Sequence, residues 1–298
     1  MDPASPPPSR RKKLDILAET LSAGKIEQAR QILRDAAAEP PPRVKPPPTA
    51  NPVALPAAAP GREVSNENGK FWLVRRRLAE AAPEQLPAQR GYLAVLRGAR
   101  QRFDELAASP AICHIADGKP EGPLFLSIQA CGAGSACTFL VGVMACRNDE
   151  LVFDQLLARH YGEEAAILQA FSSRLAEARA LVTFNGKAGD LATLQRAYIL
   201  HVDLPDVPPH CDLRQEARRR WRGRLPDYRL PTLERHVCRR RRARNITPAD
   251  AAEAYHAFVA GGDAAEIQAI LHHNLLNLLT LGELLCLLLT GEEPDVDS

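Results

Sequence analysis

The residues from Arg214 to Arg244 carry the clearest chemical signal in the sequence, which is a capacity to bind phosphate. They include 13 arginines against Glu216, Asp227 and Glu234, a local charge of +10 in a chain whose net charge is +2. A guanidinium group is always charged, and its N–H groups fork onto phosphate oxygens. The stretch predicts a nucleic-acid-binding surface. The predicted contacts are Arg218, Arg219, Arg220, Arg222, Arg239, Arg240, Arg241 and Arg242.

Two other interpretations of this arginine stretch remain open. Arginine is used throughout the chain, 31 against 7 lysines, so the run can reflect general arginine usage. A basic face can also bind an acidic protein, because that association is electrostatic as well. Trp221 lies inside the run and can stack on a base, although a tryptophan is more often part of a hydrophobic core.

The cysteines and histidines favour a reducing environment rather than a metal site. The seven cysteines are odd in number and contain no C-x-x-C pair, which is typical of reduced thiols. With no apolar secretion signal at the N-terminus, they predict a cytoplasmic protein. His210, Cys211, His236 and Cys238 do not have the spacing of a zinc finger or ribbon, so no structural zinc is expected.

The composition is that of a folded protein, with 45% hydrophobic and 25% charged residues, and rules out a wholly disordered chain. The apolar stretch Leu275–Leu289 is interrupted by Asn277, Thr280 and Glu283 and is shorter than the ~20 residues of a membrane span. It predicts a buried helix and no membrane association.

Proline and charge patterns divide the chain into five predicted segments. Nine prolines fall between Pro40 and Pro60, which predicts an extended linker without a core of its own. The segments are a helical hairpin at 1–39 that could dock a protein partner, a disordered proline-rich linker at 40–60, a β-hairpin and helix at 61–114, a main domain at 115–291 and a tail at 292–298.

Within the main domain, hydrophobic periodicity predicts an α/β protein with a mixed five-stranded sheet flanked by helices. Asn68-Gly69 predicts the turn of the preceding hairpin, and Asp212, Thr247 and a capping box of Asp263 with Glu266 predict helix starts. The main predicted strands are Leu124–Ile128, Thr138–Ala145, Leu151–Leu157 and Leu181–Phe184. The predicted helices are Glu163–Ala180, Leu191–His201, Leu213–Trp221 and a last helix that ends near Leu289.

Three motifs in this domain stand in the order of the exonuclease motifs of ribonuclease H-like, DEDD-type nucleases. The motifs are Phe125-Leu126-Ser127-Ile128-Gln129 on the first strand, Phe184-Asn185-Gly186-Lys187-Ala188-Gly189-Asp190 in the middle, and His272-His273-Asn274-Leu275-Leu276-Asn277 in the last helix. With Leu230-Pro231-Thr232-Leu233-Glu234-Arg235 and Gly61-Arg62-Glu63-Val64, the sequence resembles the YprB-type ribonuclease H-like domain family over roughly residues 61–290.

The resemblance implies a site for two divalent cations held by four carboxylates, because hard cations need oxygen ligands to offset their charge. This sequence has Ser127, Gln129 and Asn277 at three of those positions, and only Asp190 is acidic. His273 stands where the resemblance places a general base. Asn185 and Lys187 belong to the same middle motif and are predicted to contact nucleic acid. By themselves, Asp190 could simply cap a helix and His273 could be an ordinary helix residue.

One carboxylate cannot offset the charge of two cations, so the sequence predicts a nucleic-acid-binding protein that is impaired as a nuclease. No cofactor is expected, and Mg²⁺ or Mn²⁺ would bind, through Asp190, only if residual activity exists. The alternatives are a weakly active 3′–5′ exonuclease and a protein-interaction module. DNA and RNA are equally open as partners.

Overall fold

A mixed β-sheet lies at the centre of the computed structural model, which describes residues 53–98, 110–115, 119–132, 137–186, 200, 202–242 and 245–291. All of these residues belong to one compact unit. The predicted helical hairpin at 1–39, most of the predicted linker, all of the predicted helix Leu191–His201 except Leu200, and the tail at 292–298 lie outside the described residues.

The described residues form seven strands and nine α-helices. The strands are β1 (Arg62–Asn66), β2 (Gly69–Arg77), β3 (Pro123–Ala130), β4 (Thr138–Arg147), β5 (Glu150–Leu157), β6 (Ala180–Thr183) and β7 (His210–Asp212). The helices are α1 (Leu55–Ala58), α2 (Leu78–Ala81), α3 (Leu86–Gly98), α4 (Pro110–Ile115), α5 (Glu164–Glu177), α6 (Leu213–Arg220), α7 (Leu230–His236), α8 (Pro248–Gly261) and α9 (Ala265–Thr290).

The sheet has seven described strands in the order β1-β2-β5-β4-β3-β6-β7. The first five are joined by antiparallel pairs, while β3–β6 and β6–β7 are parallel. The α/β class and the mixed sheet are confirmed, but the prediction of five strands is wrong. The β-hairpin predicted in the segment 61–114 extends the same sheet through the pairing of β2 with β5. The strand β7 has only three residues, too few to show a period of two.

Both faces of the sheet are covered by helices. On one face, α5 packs on Leu124, Leu126, Val141 and Val143. On the other face, the long helix α9 packs on alternate residues of the same strands, such as Phe125 and Met144. Because neighbouring residues of a strand point to opposite faces, Ser127 lies on the α9 side with Phe125.

Helix α9 is long and apolar enough to cross a membrane by length and composition. In this fold it lies inside the protein, and most of its apolar side chains are buried against the sheet and its neighbouring helices. The apolar stretch Leu275–Leu289 is therefore part of a buried helix, as predicted.

The end of the predicted linker has a structure, which corrects the prediction for residues 53–60. Ala58 and Ala59 are buried in a core cluster, and the Ala59 carbonyl accepts a hydrogen bond from the Trp72 indole at 3.0 Å. Val53 N–H donates to the Asp263 carboxylate, which also accepts from Ala265 N–H. Asp263 thus makes a different contact from the predicted capping box, and α9 begins after Ala264 instead.

Three strands and α9 meet around one buried amide, Asn274, which has no exposed surface. Ser127, Gly142 and Gln155 lie side by side on β3, β4 and β5. The Asn274 amide donates to the Ser127 carbonyl at 2.9 Å, and its oxygen accepts from Gln155 Nε2 at 3.0 Å. Gly142 lies beneath this amide, since a Cβ there would be 1.9 Å from Asn274 Oδ1.

We expect Gly142→Ala to destabilise the protein by about 2–4 kcal/mol, because the added methyl group displaces Asn274 and breaks its buried hydrogen bonds. Urea unfolding followed by circular dichroism measures the change. Gly91→Ala is the matched control, since a Cβ at that helical position meets nothing within 4 Å. It should raise stability by about 0.5–1 kcal/mol. Equal effects of the two substitutions would contradict this account.

Candidate functional site

A cleft of about 230 Å³ opens at the end of β6, between β3 and α9. The carboxyl ends of parallel strands are a common location for ligand sites in α/β proteins. The cleft brings together residues from all three predicted motifs. Its lining residues are Leu126, Ser127, Ile128, Thr183, Phe184, Asn185, Gly186, Leu230, Asn277 and Leu281.

Ser127 and Asn277 face each other in this cleft. The Asn277 amide donates to Ser127 Oγ at 3.3 Å, so these two predicted positions satisfy each other by a hydrogen bond. Neither side chain carries a charge. Gln129 lies two residues further on β3, next to an irregularity in the β3–β4 pairing between Gln129 and Ala130. It is half-buried and is not part of the cleft lining.

Asn185 occupies the turn after β6 in a left-handed conformation, with φ of +61°. Its backbone N–H donates to the Asp212 carboxylate at 2.9 Å, and its side-chain oxygen accepts from Arg214 at 2.7 Å. Asp212 also accepts the Arg214 N–H and caps α6, as predicted. The Oδ1 atom of Asp212 therefore accepts hydrogen bonds from two backbone N–H groups, those of Asn185 and Arg214. Lys187 and Asp190 lie outside the described residues.

His273 does not line the cleft, although it lies on the same helix as Asn277. Arg242 donates to His273 Nδ1 at 3.1 Å. An arginine can only donate, so Nδ1 is the acceptor and the imidazole is neutral. Burial, the Arg242 charge and the neighbouring His272 lower the pKa of His273 to about 4. This hydrogen bond occupies the lone pair that a general base would need.

The depressed pKa of His273 predicts a loss of stability in mild acid. Below its ordinary value of 6.5, the unfolded chain binds a proton that the folded protein excludes until about pH 4. Stability should therefore fall as the pH drops from about 6.5 towards 4. In thermal unfolding at pH 7 and pH 5, His273→Gln should lose less stability than the parent. The exposed His272→Gln should keep most of the parent's loss, because burial and Arg242 contribute more to the shift than His272 does. An unchanged pH dependence in His273→Gln would contradict this assignment.

Arg240 and Arg242 are part of an internal ion network, which corrects their prediction as nucleic-acid contacts. The side chains of Arg240 and Arg242 are 18% and 7% exposed, and both pair with Glu234 of α7, which is 3% exposed. Glu234 also accepts from Thr280 of α9 at 2.5 Å, and Arg240 pairs with Glu283 at 3.1 Å. These arginines join α7 to α9 and are not available to a phosphate.

Other arginines of the run do reach the solvent. The exposed side chains of Arg218, Arg222, Arg239 and Arg241 make no ion pair or hydrogen bond with a described residue. Exposed Arg219 pairs with Glu216, and half-buried Arg220 donates to the Gly291 carbonyl. A second, basic pocket is lined by Arg218, Arg219, Arg222, Gly223 and Tyr228. Trp221 is fully buried in the core, which agrees with its interpretation as a core residue rather than a base-stacking residue.

The described part of the cleft does not fit a pair of divalent cations. Its polar lining consists of two amides and two hydroxyl groups, and none of its described side chains is a carboxylate. The Asn277 amide donates towards Ser127 rather than presenting its oxygen there. Hard cations need several negatively charged oxygens, which this lining does not supply.

Sequence reasoning missed the residues that hold this site together. The last-helix motif contains Asn274, but the sequence predicts no role for it. Gln155 and Gly142 fall within predicted strands without a predicted contact, and the arginine partners of Glu234 were not predicted either. A single polar residue inside an apolar run, such as Gln155 or Asn274, is the signal that could have found them, because a buried polar group needs a partner.

Two comparisons with known proteins bear on this site. Residues 124–289 match the family model described as the RNase_H superfamily. Over 153 residues, the chain is 32% identical to a protein of Bacillus subtilis (strain 168) named "Uncharacterized protein YprB". The match covers 50% of this chain and 37% of that relative, so the chain spans well under half of the relative's length. Both matches agree with the family that the motifs predicted.

Proposed function

Because this chain belongs to the RNase_H superfamily, we propose that it binds nucleic acid on a nuclease fold that has lost two-metal catalysis. The observation that carries the proposal is the neutral cleft, in which Ser127 and Asn277 hydrogen-bond to each other. The loss of charge explains the loss of catalysis, since two-metal hydrolysis depends on both cations being held in place. The amide and hydroxyl groups can still hydrogen-bond to a base or a sugar.

A row of arginines on α6 supports binding of a strand that passes through the cleft. Arg214 contacts Asn185 at the rim of the cleft. Arg218 follows one turn later on the same helical face, and Arg222 comes just after the helix ends, beside the basic pocket. Residues four apart on a helix are about 6 Å apart along its axis, so Arg214 and Arg218 offer two closely spaced charges to a phosphate backbone. Arg222 adds a third charge beyond the end of the helix.

The proposal is tested first by a cleavage and binding assay. Labelled single- and double-stranded DNA and RNA are incubated with the protein in Mg²⁺ and in Mn²⁺, with Asp190→Ala alongside to reveal contaminating nuclease. We expect no cleavage and a mobility shift that a defined oligonucleotide competes away better than heparin at fixed ionic strength. Metal-dependent cleavage that Asp190→Ala abolishes would overturn the loss of catalysis. Neither cleavage nor a shift would favour the protein-interaction alternative.

Restoring the missing charges gives a second test of the same site. The triple variant Ser127→Asp, Gln129→Glu, Asn277→Asp should gain Mg²⁺ or Mn²⁺ binding by at least tenfold in calorimetry, because it supplies three carboxylates to the cleft region. The matched control, Ser65→Asp, Gln215→Glu, Gln268→Glu, adds the same charge at exposed positions. No gain in the triple variant, or an equal gain in the control, would refute the assignment of these three positions to a former metal site.

The exposed arginines should contribute to oligonucleotide affinity without contributing to stability. In Arg218→Gln, Arg222→Gln, Arg239→Gln, Arg241→Gln combined, we expect the slope of log affinity against log salt to fall by up to about 3, since each phosphate contact to a single strand contributes about 0.7. Its thermal stability should be unchanged. Fluorescence anisotropy at several salt concentrations measures the slope.

Two controls show whether the loss of affinity comes from lost phosphate contacts, from the lower overall charge or from lower folding stability. Removing four exposed charges elsewhere, with Arg62, Arg90, Lys119 and Arg179 each changed to Gln, should reduce the slope less. Arg242→Gln should instead lower stability by about 3–5 kcal/mol, because it leaves buried Glu234 without its ion partner. The same slope for both sets of four charges would count against a specific arginine surface.

A further inference from the structure

Two cysteines face each other at the end of the β3–β4 hairpin. Cys131 follows β3 and Cys137 precedes β4, and the Cys131 N–H donates to the Cys137 carbonyl at 2.8 Å. Because they are opposite residues of an antiparallel, hydrogen-bonded pair, their Cα atoms lie about 5.5 Å apart. Both side chains are half-buried, so small solutes can reach them. A disulfide requires two Cα atoms that already lie close together, and this cross-strand position provides that.

The surroundings assign different roles to the two sulfurs. The neighbouring Cys131 thiol, burial and the negative charge of Glu164 raise the pKa of the Cys137 thiol well above its usual range. The Cys137 thiol also donates to the Thr138 carbonyl at 3.7 Å. Cys137 is thus the sulfur that keeps its proton, and the first attack on an oxidant is assigned to Cys131.

We propose that Cys131 and Cys137 form a redox-active dithiol that a hydroperoxide converts reversibly into a disulfide. The Cys131 thiolate attacks a peroxide oxygen, an S–O bond forms as the O–O bond breaks, and the displaced oxygen leaves with a proton as water or an alcohol. Cys137 then attacks the sulfenic sulfur, the S–S bond forms as the S–O bond breaks, and water leaves with the Cys137 proton. Added thiol reduces the disulfide by exchange.

This pair differs from the remaining cysteines. Cys146 and Cys211 are buried, and burial raises the pKa of Cys146 to about 11 and that of Cys286 to about 12. Cys113 is half-buried and has no described cysteine as a hydrogen-bond partner, so it serves as an internal comparison. The disulfide would lie next to the irregular pairing at Gln129, and it does not depend on whether the cleft binds nucleic acid.

The test is graded oxidation of the full chain with hydrogen peroxide, followed by alkylation of the remaining thiols and mass spectrometry. We expect Cys131 and Cys137 to lose two hydrogens together, at least tenfold faster than Cys113 is oxidised, and dithiothreitol to restore both thiols. In Cys137→Ser, Cys131 should stop at the sulfenic acid and react with dimedone. In Cys131→Ser, Cys137 should not be labelled under the same conditions.

Thermal unfolding of both reduced variants shows whether they are folded like the parent. Should either variant unfold, the order of attack is tested in the parent by short peroxide pulses with dimedone present, which should label Cys131 before Cys137. Oxidation of Cys113 ahead of the pair, or the absence of a disulfide joining Cys131 and Cys137, would overturn the proposal. Equal dimedone labelling of both cysteines would overturn the assigned order of attack.

Discussion

The buried amide of Asn274 is the contact on which the arrangement of the site depends. It rests on Gly142 and hydrogen-bonds to β3 on one side and β5 on the other. Because an amide has directed donors and acceptors, this contact sets the rotation of α9 as well as its distance from the sheet. Further along the helix, Gly282 faces Met144, and a Cβ there would be 2.9 Å from the flexible end of the Met144 side chain.

The rotation of α9 then determines what each of its polar residues can do. Asn277, three residues after Asn274, reaches Ser127 in the cleft. Thr280, three residues further, reaches Glu234 of α7. His273 instead meets Arg242, away from the cleft lining. One helix thus serves the core, the cleft and the ion network on three of its sides, and each role follows from the 3.6-residue period.

Sequence patterns were sufficient to predict the strands and helices that have a clear hydrophobic periodicity, and to predict which motifs share the cleft. The strands around Ser127, the cap at Asp212 and the start of α8 at Thr247 were predicted because each rests on local chemistry. The role of β2 in the sheet was not predicted, since strand pairing depends on partners far along the chain. The different environments of Arg241 and Arg242 could not be predicted for the same reason. The two arginines are adjacent in sequence, and Arg242 is buried because its side chain reaches Glu234 of α7, whereas Arg241 is exposed.

The hairpin of β1 and β2 also changes what counts as the folding unit. The family match begins at residue 124, yet β2 pairs with β5 along six residues, from Trp72–Leu157 to Arg77–Val152. A fragment cut to the matched region would leave the backbone of β5 open as a sheet edge, a template for aggregation. In the intact chain, the outer strand is short, mostly exposed β1, which carries Arg62 and Glu63. The β5 edge of the family region is thus covered by residues that lie outside it.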